Sequence, residues 1–404
     1  MCGRGVLPAG TNRERSARVL KSPHRVLPHA CRQVNFMDIQ NQRILIIKQS
    51  SLGDIVHTLP VAHALKRCFP DCHIGWVVER AFAPLVAQDT AVDAVYPIHI
   101  PSTSEPGARW YIAYPQAFWA TMRVVHGLWT ALRAAPYDLI LDLHASFRSG
   151  LLSLMNGGGL RVGFRDAREL NTLFQHRLVS IPDHTVHAVD KNLLFCELLG
   201  CVPTDADFFL CSDRTDEQSA ANFLTAHGIQ GDLPFVYVNP TARWQSKFWL
   251  QPRWSELCDR LLAAGIHVVF GGSAADLPYI SGITERMAGA GVVAAGRLTL
   301  TESVALMKRA SVYVGVDTGP MHMAAMAGIP VVALFGPTHP ERVGPYRARG
   351  VVLQANSIEC LCCRRRVCPH MRCMEGISVE TVYQQVLDFV VMPEIGRASC
   401  RERV

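Results

Sequence analysis

The stretch RILIIKQSSLGDIVHTLP (43–60) predicts a buried strand that passes through a glycine-containing turn into a helix. Its aliphatic run, Ile44–Ile47, is typical of a strand in a parallel sheet that is covered on both faces. Gly53 in the turn allows the backbone to approach a ligand closely. Asp54 follows at the mouth of the expected cleft, and its spacing leaves open whether it is functional or only caps the helix.

The rest of the chain repeats this alternation of strands and helices. Helical periodicity separates the apolar runs, as at Val61–Cys68, Trp254–Ala263 and Leu300–Arg309. Such an order predicts two Rossmann-like domains with parallel sheets, and a ligand in a cleft at the carboxyl ends of the strands. The predicted strands are Ile44–Ile47, Ile74–Val78, Leu139–Leu143, Phe235–Val238, His267–Phe270, Val312–Val316 and Val331–Phe335.

The alternation is interrupted once, by a Pro- and Asp-rich stretch. We expect an N-terminal domain over 37–205, a linker over 206–232, a C-terminal domain over 233–375 and a C-terminal helix over 376–393. Residues 1–36 are basic and lack a hydrophobic period, which fits a transit peptide or, as we favour, a mis-called start upstream of Met37. Residues 394–404, EIGRASCRERV, resemble a translated sequencing adapter.

The composition excludes several classes of protein. With 49% hydrophobic and 18% charged residues, the 404-residue chain is too apolar to be disordered. No run of about 18 apolar residues would span a membrane. The net charge of +6 resides in the two ends, so residues 37–393 carry a net −1 and give no argument for nucleic-acid binding. The 14 cysteines cluster late, unlike a secreted disulfide scaffold, and favour a reducing, cytoplasmic compartment.

A second strand-to-helix turn lies in VGVDTGPMH (314–322). We expect the helix over Met323–Gly328, and the free N–H groups at its N-terminus suit a phosphate or diphosphate. Asp317 has the wrong charge for phosphate and is predicted to bind sugar hydroxyls. His322 lies beside Thr318 and Gly319, where it either donates to phosphate or packs in the core.

A third loop, NPTARWQSKFW (239–249), follows the first strand of the second domain. Arg243 and Lys247 lie between aromatic residues there, and are either solvated or supply a mobile cation that neutralises a leaving diphosphate. FGPT (335–338) closes a further strand at the same edge. The convergence of several loops on one rim is the stronger argument for a site.

Together these segments resemble glycosyltransferase family 9, the ADP-heptose:lipopolysaccharide heptosyltransferases, over roughly residues 43–391. The resemblance implies a GT-B fold, in which the N-terminal domain holds a lipid A–Kdo acceptor and the C-terminal domain holds ADP-heptose. It implies transfer of heptose to the Kdo/heptose inner core of lipopolysaccharide, with inversion at the anomeric carbon. It rests on SSLGDIVHTLP (50–60), KFW within 239–249, VGVDTGPMHMAAMAGIP (314–330) and FGPTHPERVGPY (335–346).

The resemblance also implies roles for individual residues. Asp54 matches the general base that accepts the proton of the acceptor hydroxyl, a role worth about 10²–10⁴-fold in rate. Lys247 would hold the diphosphate, and Thr318 and Gly319 would donate to the same phosphates. Asp317 would bind heptose hydroxyls, and no divalent metal is expected in the active site. The complete donor set is Thr241, Lys247, Asp276, Asp317, Thr318, Gly319 and His322, with Asp276 a weaker candidate for the ribose hydroxyls.

Two regions concern the acceptor. In DLHASFRS (142–149) His144 stands where the family carries Gln, so His144 and Arg148 either contact a differently decorated acceptor or belong to a surface loop. The Arg109–Arg133 region is aromatic and basic without acidic residues. It either lies against an anionic membrane face or is a buried helix with a few exposed arginines. We therefore expect a cytoplasmic protein that is peripheral to the inner membrane.

The cysteines fall into two groups. Cys360, Cys363, Cys368 and Cys373 have ligand-like spacing for a structural zinc, although the later spacings do not match a standard knuckle. A disulfide and free thiols are the alternatives for this group. Six others have core-like neighbours and are predicted to be small buried hydrophobic residues: Cys68, Cys72, Cys196, Cys201, Cys211 and Cys258.

Two other functions stay open at this point. A family 9 transferase with a different nucleotide sugar or acceptor would keep the same fold, because the resemblance fixes the scaffold better than the donor. A nucleotide-sugar-binding protein without turnover would not need a carboxylate at position 54. A nicotinamide-dependent oxidoreductase is disfavoured, because the chain lacks the G-x-G-x-x-G fingerprint.

Overall fold

The computed structural model describes residues 41–99, 110–231, 233–356 and 358–390, without the side chains of 110–120. The predicted leader (1–36) and adapter-like tail (394–404) lie outside the described residues. The first part of the Arg109–Arg133 region does so as well, apart from the backbone of its helix.

The first half of the chain forms a parallel sheet with helices on both faces. Its strands are β1 (Arg43–Ile47), β2 (His73–Glu79), β3 (Ala94–Ile98), β4 (Leu139–Asp142), β5 (Leu160–Phe164) and β6 (Arg177–Val179). Its helices are α1 (Leu52–Val56), α2 (Leu59–Cys68), α3 (Ala83–Ala87), α4 (Trp110–Ala134), α5 (Phe147–Leu154) and α6 (Ala188–Leu198). The strand order is β3-β2-β1-β4-β5-β6, so β1 lies in the centre.

The second half forms a sheet of the same kind. Its strands are β7 (Phe235–Asn239), β8 (His267–Phe270), β9 (Val292–Val293), β10 (Val312–Val316), β11 (Val331–Leu334) and β12 (Gly350–Leu353). The helices from here on are α7 (Arg214–Ala226), α8 (Gln251–Ala263), α9 (Leu277–Thr284), α10 (Leu300–Lys308), α11 (Gly319–Met326), α12 (Pro340–Val343), α13 (Arg372–Glu375) and α14 (Val379–Val390). The strand order is β12-β11-β10-β7-β8-β9.

Both sheets therefore have the same topology, with their first and fourth strands side by side. β1 pairs with β4, and β7 pairs with β10. The strand order reverses at these two places, and in open parallel sheets the ligand crevice lies there, beyond the carboxyl ends of the strands. Each of the three motifs begins at the carboxyl end of one of these four strands, namely at Lys48, Asn239 and Asp317.

The core explains why the apolar runs predicted the strands well. Ile44–Ile47 are fully buried, because α4 and α5 cover one face of the first sheet and α2 and α6 pack with the opposite face. All of the predicted strands are confirmed to within one residue. Five further strands were not predicted, because they are short, partly exposed or interrupted by Pro, Gly or Arg: β3, β5, β6, β9 and β12.

The predicted start of α11 is wrong. The helix begins at Gly319 rather than at Met323, because Thr318 takes an extended conformation and Pro320 is accommodated in the first turn. His322 consequently lies inside the first turn of α11.

The segment predicted as a linker contains α7, which packs against α10. Thr301 of α10 donates to Asp216 of α7 at 3.1 Å. The side-chain amide of Gln88, in the first half of the chain, also donates to Asp216. α7 thus contacts both halves, and the domain boundaries at 205, 232 and 375 stay predictions.

Cys68 and Cys201 were predicted to be small buried hydrophobic residues, and Cys201 is buried, but the prediction is wrong in treating the two as unpaired. The two sulfurs form a disulfide between the end of α2 and the turn after α6. The local sequence around each cysteine gave no sign of this pairing, because the two residues are 133 positions apart in the chain.

The two halves meet where α1 packs directly against α11. A Cβ atom on Gly53 would lie 2.6 Å from Cδ2 of the His322 ring. A Cβ atom on Gly319 would lie 2.8 Å from Cγ and Cδ2 of Leu52. Each helix therefore fits against the other only because a glycine occupies the point of contact.

A second contact joins the halves beside the first. His187 Nε2 lies 3.1 Å from the Gly344 carbonyl, and the Tyr346 hydroxyl donates to Asp190. The motif FGPTHPERVGPY (335–346) thus ends against α6 of the first half.

Within the described ranges, no helix is both long enough and apolar enough to cross a membrane.

The glycine contact gives a first testable prediction. We expect Gly53→Ala to lower the free energy of unfolding by about 1–3 kcal/mol, because the added methyl group overpacks a closed contact. The matched control is Gly127→Ala in α4, where an added Cβ meets nothing within 4 Å and should be neutral or slightly stabilising. Urea denaturation of both variants measures this, and a Gly53→Ala protein as stable as the wild type would contradict the contact.

Candidate functional site

Lys48 joins the two loops at the switch point of the first sheet. Its Nζ donates to the carbonyl of Leu143, after β4, at 2.8 Å. The same Nζ lies 3.9 Å from Oδ1 of Asp54, after β1. Burial lowers the pKa of Lys48, and the nearby Asp54 and Asp142 carboxylates partly offset this effect. An almost buried ammonium thereby fixes the position of Asp54 relative to the β4 loop.

The two carboxylate oxygens of Asp54 have different partners. Oδ2 accepts hydrogen bonds from the backbone N–H and the hydroxyl of Ser51, at 2.9 and 2.8 Å, which completes a capping box for α1. Oδ1 faces Lys48, and the side chain is 47% exposed. Partial burial raises the pKa of this carboxyl, but the Lys48 charge and the Ser51 hydrogen bonds outweigh it, so the pKa lies below its usual value. Asp54 therefore caps α1 and still presents an ionised, accessible oxygen.

The β4 loop is organised by the fully buried Asp142. Its Oδ1 accepts from the N–H groups of His144 and Ala145, and its Oδ2 accepts from Ser149 and Asn171. His144 is thereby placed half-buried near Lys48, and burial, followed by the Lys48 charge, lowers its pKa. Arg148 at the start of α5 is exposed, and its charge contributes to the lowered pKa of His144. The structure thus brings His144 to the side of Lys48, with the exposed Arg148 near His144.

Lys247 and Asp317 form a nearly buried ion pair at the switch point of the second sheet. Lys247 Nζ lies 2.6 Å from Oδ2 of Asp317 and 3.1 Å from its carbonyl oxygen. The hydroxyl of Thr338, after β11, donates to the same Oδ2 at 2.6 Å. The two side chains of the pair are 15% and 5% exposed. Asp317 is thus already engaged, so a contact with heptose hydroxyls requires it to exchange partners.

The remaining donor candidates lie on neighbouring loops. Thr241 is buried after β7, and Thr318 with Gly319 forms the start of α11 after β10. Asp276 lies after β8, one strand farther out, where its Oδ2 accepts from the N–H and hydroxyl of Ser273 at 2.7 Å. Four of the sequence-predicted groups, Lys247, Asp317, Thr318 and Gly319, are therefore contiguous, whereas Asp276 stands apart.

A histidine pair connects the two switch points. Nε2 of His57, at the end of α1, lies 2.9 Å from Nδ1 of His322 in α11. Nε2 of His322 lies 3.8 Å from Oδ1 of Asp317. Burial and the neighbouring His322 and His187 hold the pKa of His57 well below its usual value. Burial, followed by His187 and Lys247, lowers the pKa of His322 to about 3. Both rings are therefore neutral at pH 7.

Sequence analysis missed four members of this assembly: Lys48, His57, His187 and Thr338. His57 has the clearest sequence signal, because it follows Asp54 by three residues and so lies on the same side of a short helix. Thr338 lies in FGPT (335–338), which the sequence places at the same rim, although the residue itself received no role. His187 gave no signal, because its partner Gly344 is 157 positions away in the chain.

The cysteine-rich segment lies against the donor loops. The N–H groups of Cys362 and Arg364 donate to the carbonyls of Gly336 and Pro337, at 3.1 and 2.7 Å. The hydroxyl of Ser246, beside Lys247, donates to the carbonyl of Arg365 at 2.6 Å. Segment 362–366 therefore braces the loops that carry Lys247 and Thr338.

The structure brings the four cysteines predicted to bind zinc into one region, because burial, followed by Cys360, Cys363 and Cys368, raises the pKa of Cys373 to about 11. Among the residues that the structure describes, no three or more His, Cys, Asp or Glu side chains are grouped so as to hold a metal ion. Cys360 and Cys363 are exposed, and Cys373 is buried at α13. The zinc at Cys360, Cys363, Cys368 and Cys373 stays a prediction.

Comparison with known proteins assigns this architecture to a family. The family model described as glycosyltransferase family 9 (heptosyltransferase) matches residues 125–373. Lipopolysaccharide heptosyltransferase 1 of Pseudomonas aeruginosa is 31% identical over 340 residues, covering 81% of this chain and 88% of that protein. Lipopolysaccharide heptosyltransferase 1 of Escherichia coli K12 is 29% identical over 320 residues, covering 78% and 93%.

Two solved structures share the fold. The E. coli heptosyltransferase WaaC with ADP superimposes with a TM-score of 0.66 and 25% identity, covering 86% of this chain and 99% of that one. A glycosyl transferase family 9 structure from Veillonella parvula gives a TM-score of 0.74 at 22% identity, covering 88% and 99%. The predicted GT-B fold is confirmed.

The Lys247–Asp317 pair gives a second testable prediction. Lys247→Met leaves the Asp317 charge buried, so we expect a loss of about 3–5 kcal/mol in the free energy of unfolding. The double variant Lys247→Met/Asp317→Asn removes both charges and should recover most of this loss. Lys66→Met is the control, because its partly exposed pair with Asp93 should be worth about 1 kcal/mol or less. A double variant as unstable as the single one, measured by chemical denaturation, would rule out a buried-charge penalty.

Proposed function

Because the chain belongs to glycosyltransferase family 9 and is a glycosyltransferase, we propose that it transfers heptose from ADP-heptose to the Kdo/heptose inner core of lipopolysaccharide. The relatives named lipopolysaccharide heptosyltransferase, and the likeness to WaaC with ADP, support this donor and acceptor. The observation that carries the proposal is the α1–α11 contact. It brings the half-exposed Asp54 carboxylate of one sheet to the Lys247–Asp317 pair and the helix N-terminus of the other.

In the proposed reaction Asp54 is the general base. Its lowered pKa keeps the carboxylate ionised at pH 7, and the side chain is 47% exposed. The acceptor hydroxyl oxygen forms a bond to the anomeric carbon, its proton passes to Asp54, and the bond from that carbon to the diphosphate breaks on the opposite face. The sugar is transferred with inversion, and such a base contributes about 10²–10⁴-fold to the rate.

The charge that develops on departing ADP is assigned to Lys247 and the N-terminus of α11. Lys247 exchanges Asp317 for the diphosphate, while Thr318 and Gly319 donate to the phosphate oxygens. Asp317, still held by Thr338, is then free to bind heptose hydroxyls. Thr241 and His322 line the same donor site, Asp276 is assigned to the ribose, and this arrangement requires no divalent metal.

On the acceptor side we assign His144 and Arg148 to the sugar and the adjoining surface to the membrane. The apolar side chains of Phe147, Leu151, Leu154, Leu170 and Leu173, here called the α5 surface, are between 42% and 76% exposed. Phe147 packs on Phe174, which joins α5 to the turn that carries Leu170 and Leu173. Exposed Arg148 and Arg168 lie beside these side chains. Apolar contact with flanking arginines suits an anionic leaflet, so the protein would be cytoplasmic and peripheral to the inner membrane.

Replacement of Asp54 tests the chemistry. Asp54→Asn keeps an oxygen that can accept from Ser51 and so preserves the helix cap, but it removes the base. We expect acceptor-dependent ADP release, with ADP-heptose and a delipidated Kdo acceptor, to fall by about 10²-fold or more. Glu302→Gln is the matched control, because Glu302 completes the capping box of α10 away from the cleft.

The outcomes separate the alternatives. If ADP release by Asp54→Asn is undiminished, Asp54 serves only as a helix cap. A folded wild type that binds ADP-heptose without releasing ADP would favour a binding protein. If the wild type folds but does not bind ADP-heptose, the result would favour a donor with a different sugar.

Membrane contact is tested separately from catalysis. We expect Leu151→Glu/Leu173→Glu to abolish flotation with vesicles that contain phosphatidylglycerol, while ADP release with the delipidated acceptor is unchanged. The control Val202→Glu/Val367→Glu alters two exposed apolar residues elsewhere, 65% and 71% exposed, and should float like the wild type. Equal flotation of the α5-surface variant and the wild type would refute this contact.

A further inference from the structure

We infer that His57 is a positioning residue: its hydrogen bond to His322 fixes the ring that must hold Asp317 when Lys247 moves to the diphosphate. This inference rests on the proposed function and adds a residue to it. It assigns to α1, the helix of the acceptor side, a direct part in ordering the donor site across the contact between the two halves.

The His57 ring has little freedom to move. It is 4% exposed, and the carbonyl of the same residue accepts from Asn192 of α6 at 3.1 Å. The ring meets the His322 ring edge-on, with 4.2 Å between centroids. Gly53 closes the space on the other side of His322. The bond between the two rings therefore has one available geometry.

The chemistry of the partners determines where the protons lie. Both rings are neutral, so each has one N–H group. The Asp317 carboxylate accepts only, and His322 Nε2 faces it, so we place the His322 proton on Nε2. Nδ1 of His322 is then an acceptor, and the bond of 2.9 Å requires His57 to donate from its Nε2. Donation thus runs from His57 to His322, whose Nε2–H faces Asp317 at 3.8 Å, beyond hydrogen-bond distance while Lys247 holds that carboxylate.

This direction matters because Lys247 has two tasks. In the structure it neutralises Asp317, and in the reaction it is assigned to the diphosphate. When it moves, the partners left to the Asp317 carboxylate are Thr338 and the N–H of His322. A His322 ring that could rotate or change tautomer would deprive the Asp317 carboxylate of this N–H donor. His57 prevents both changes.

Three variants test this role. His57→Ala should lower kcat about five- to tenfold, the value of one hydrogen bond, with little change in KM for ADP-heptose. His57→Gln retains an N–H donor and should restore kcat to within about twofold. Because His57 acts through His322, the double variant His57→Ala/His322→Ala should be no slower than His322→Ala alone.

A matched control separates positioning from folding. His63 is equally buried and is hydrogen-bonded to Asp89, outside the cleft. His63→Gln should lower thermal stability without lowering kcat. If His57→Gln is as slow as His57→Ala, or if the two histidine effects add, the inference is overturned.

A measurement without turnover keeps this inference distinct from the proposed function. Imidazole ¹⁵N spectra of the wild type at pH 7 should show His322 protonated on Nε2, and His57→Ala should change that signal. A His322 protonated on Nδ1 would overturn the inference. The expected spectrum with no ADP release would contradict the proposed transfer and leave the hydrogen bond established.

Discussion

The close packing of α1 on α11 is the constraint on which the site depends. Each helix follows the first or fourth strand of its sheet, so each begins where the strand order reverses. Side chains on Gly53 or Gly319 would keep these helix ends apart. With glycine at both points, the backbones approach until His57 and His322 form a hydrogen bond. Two half-sites, neither of them complete alone, are thereby joined through one short contact.

The two nearly buried lysines of the cleft are each paired with a carboxylate. Lys48 lies beside Asp54, and Lys247 lies beside Asp317, so each nearly buried ammonium has a carboxylate within 4 Å. A buried ion pair adds little net stability, because desolvation of the two charges offsets their attraction. In such a pair the lysine is already in place for an anionic ligand, so a diphosphate can take the place of the carboxylate provided that the carboxylate gains other hydrogen-bond donors.

The sequence predicted the strands and most of the loops because these features are local. Runs such as Ile44–Ile47 are buried on both faces, and their composition alone identifies them. Short edge strands such as β9 are only partly buried, so they leave no comparable pattern. The same limit applies within the site. Lys247, Asp317 and Thr318 lie in recognisable turns, whereas the bond between His57 and His322 joins residues 265 positions apart. No local spacing can indicate such a partner, and the Cys68–Cys201 disulfide escaped prediction for the same reason.

The bracing of the donor loops by segment 362–366 uses main-chain groups of that segment and one side chain, the Cys362 thiol, which donates to the carbonyl of Thr338 at 3.2 Å. Its N–H groups donate to Gly336 and Pro337, and its carbonyls accept from Ser246. The side chains of Arg364, Arg365 and Arg366 are not part of these bonds. Arg364 and Arg365 can therefore be replaced without loss of these hydrogen bonds, whereas Arg366 lies over the Trp244 ring, which also contacts Lys247. The gain or loss of a single residue would shift every main-chain group of the segment away from its partner. The length of this segment is therefore more constrained than the identity of most of its residues.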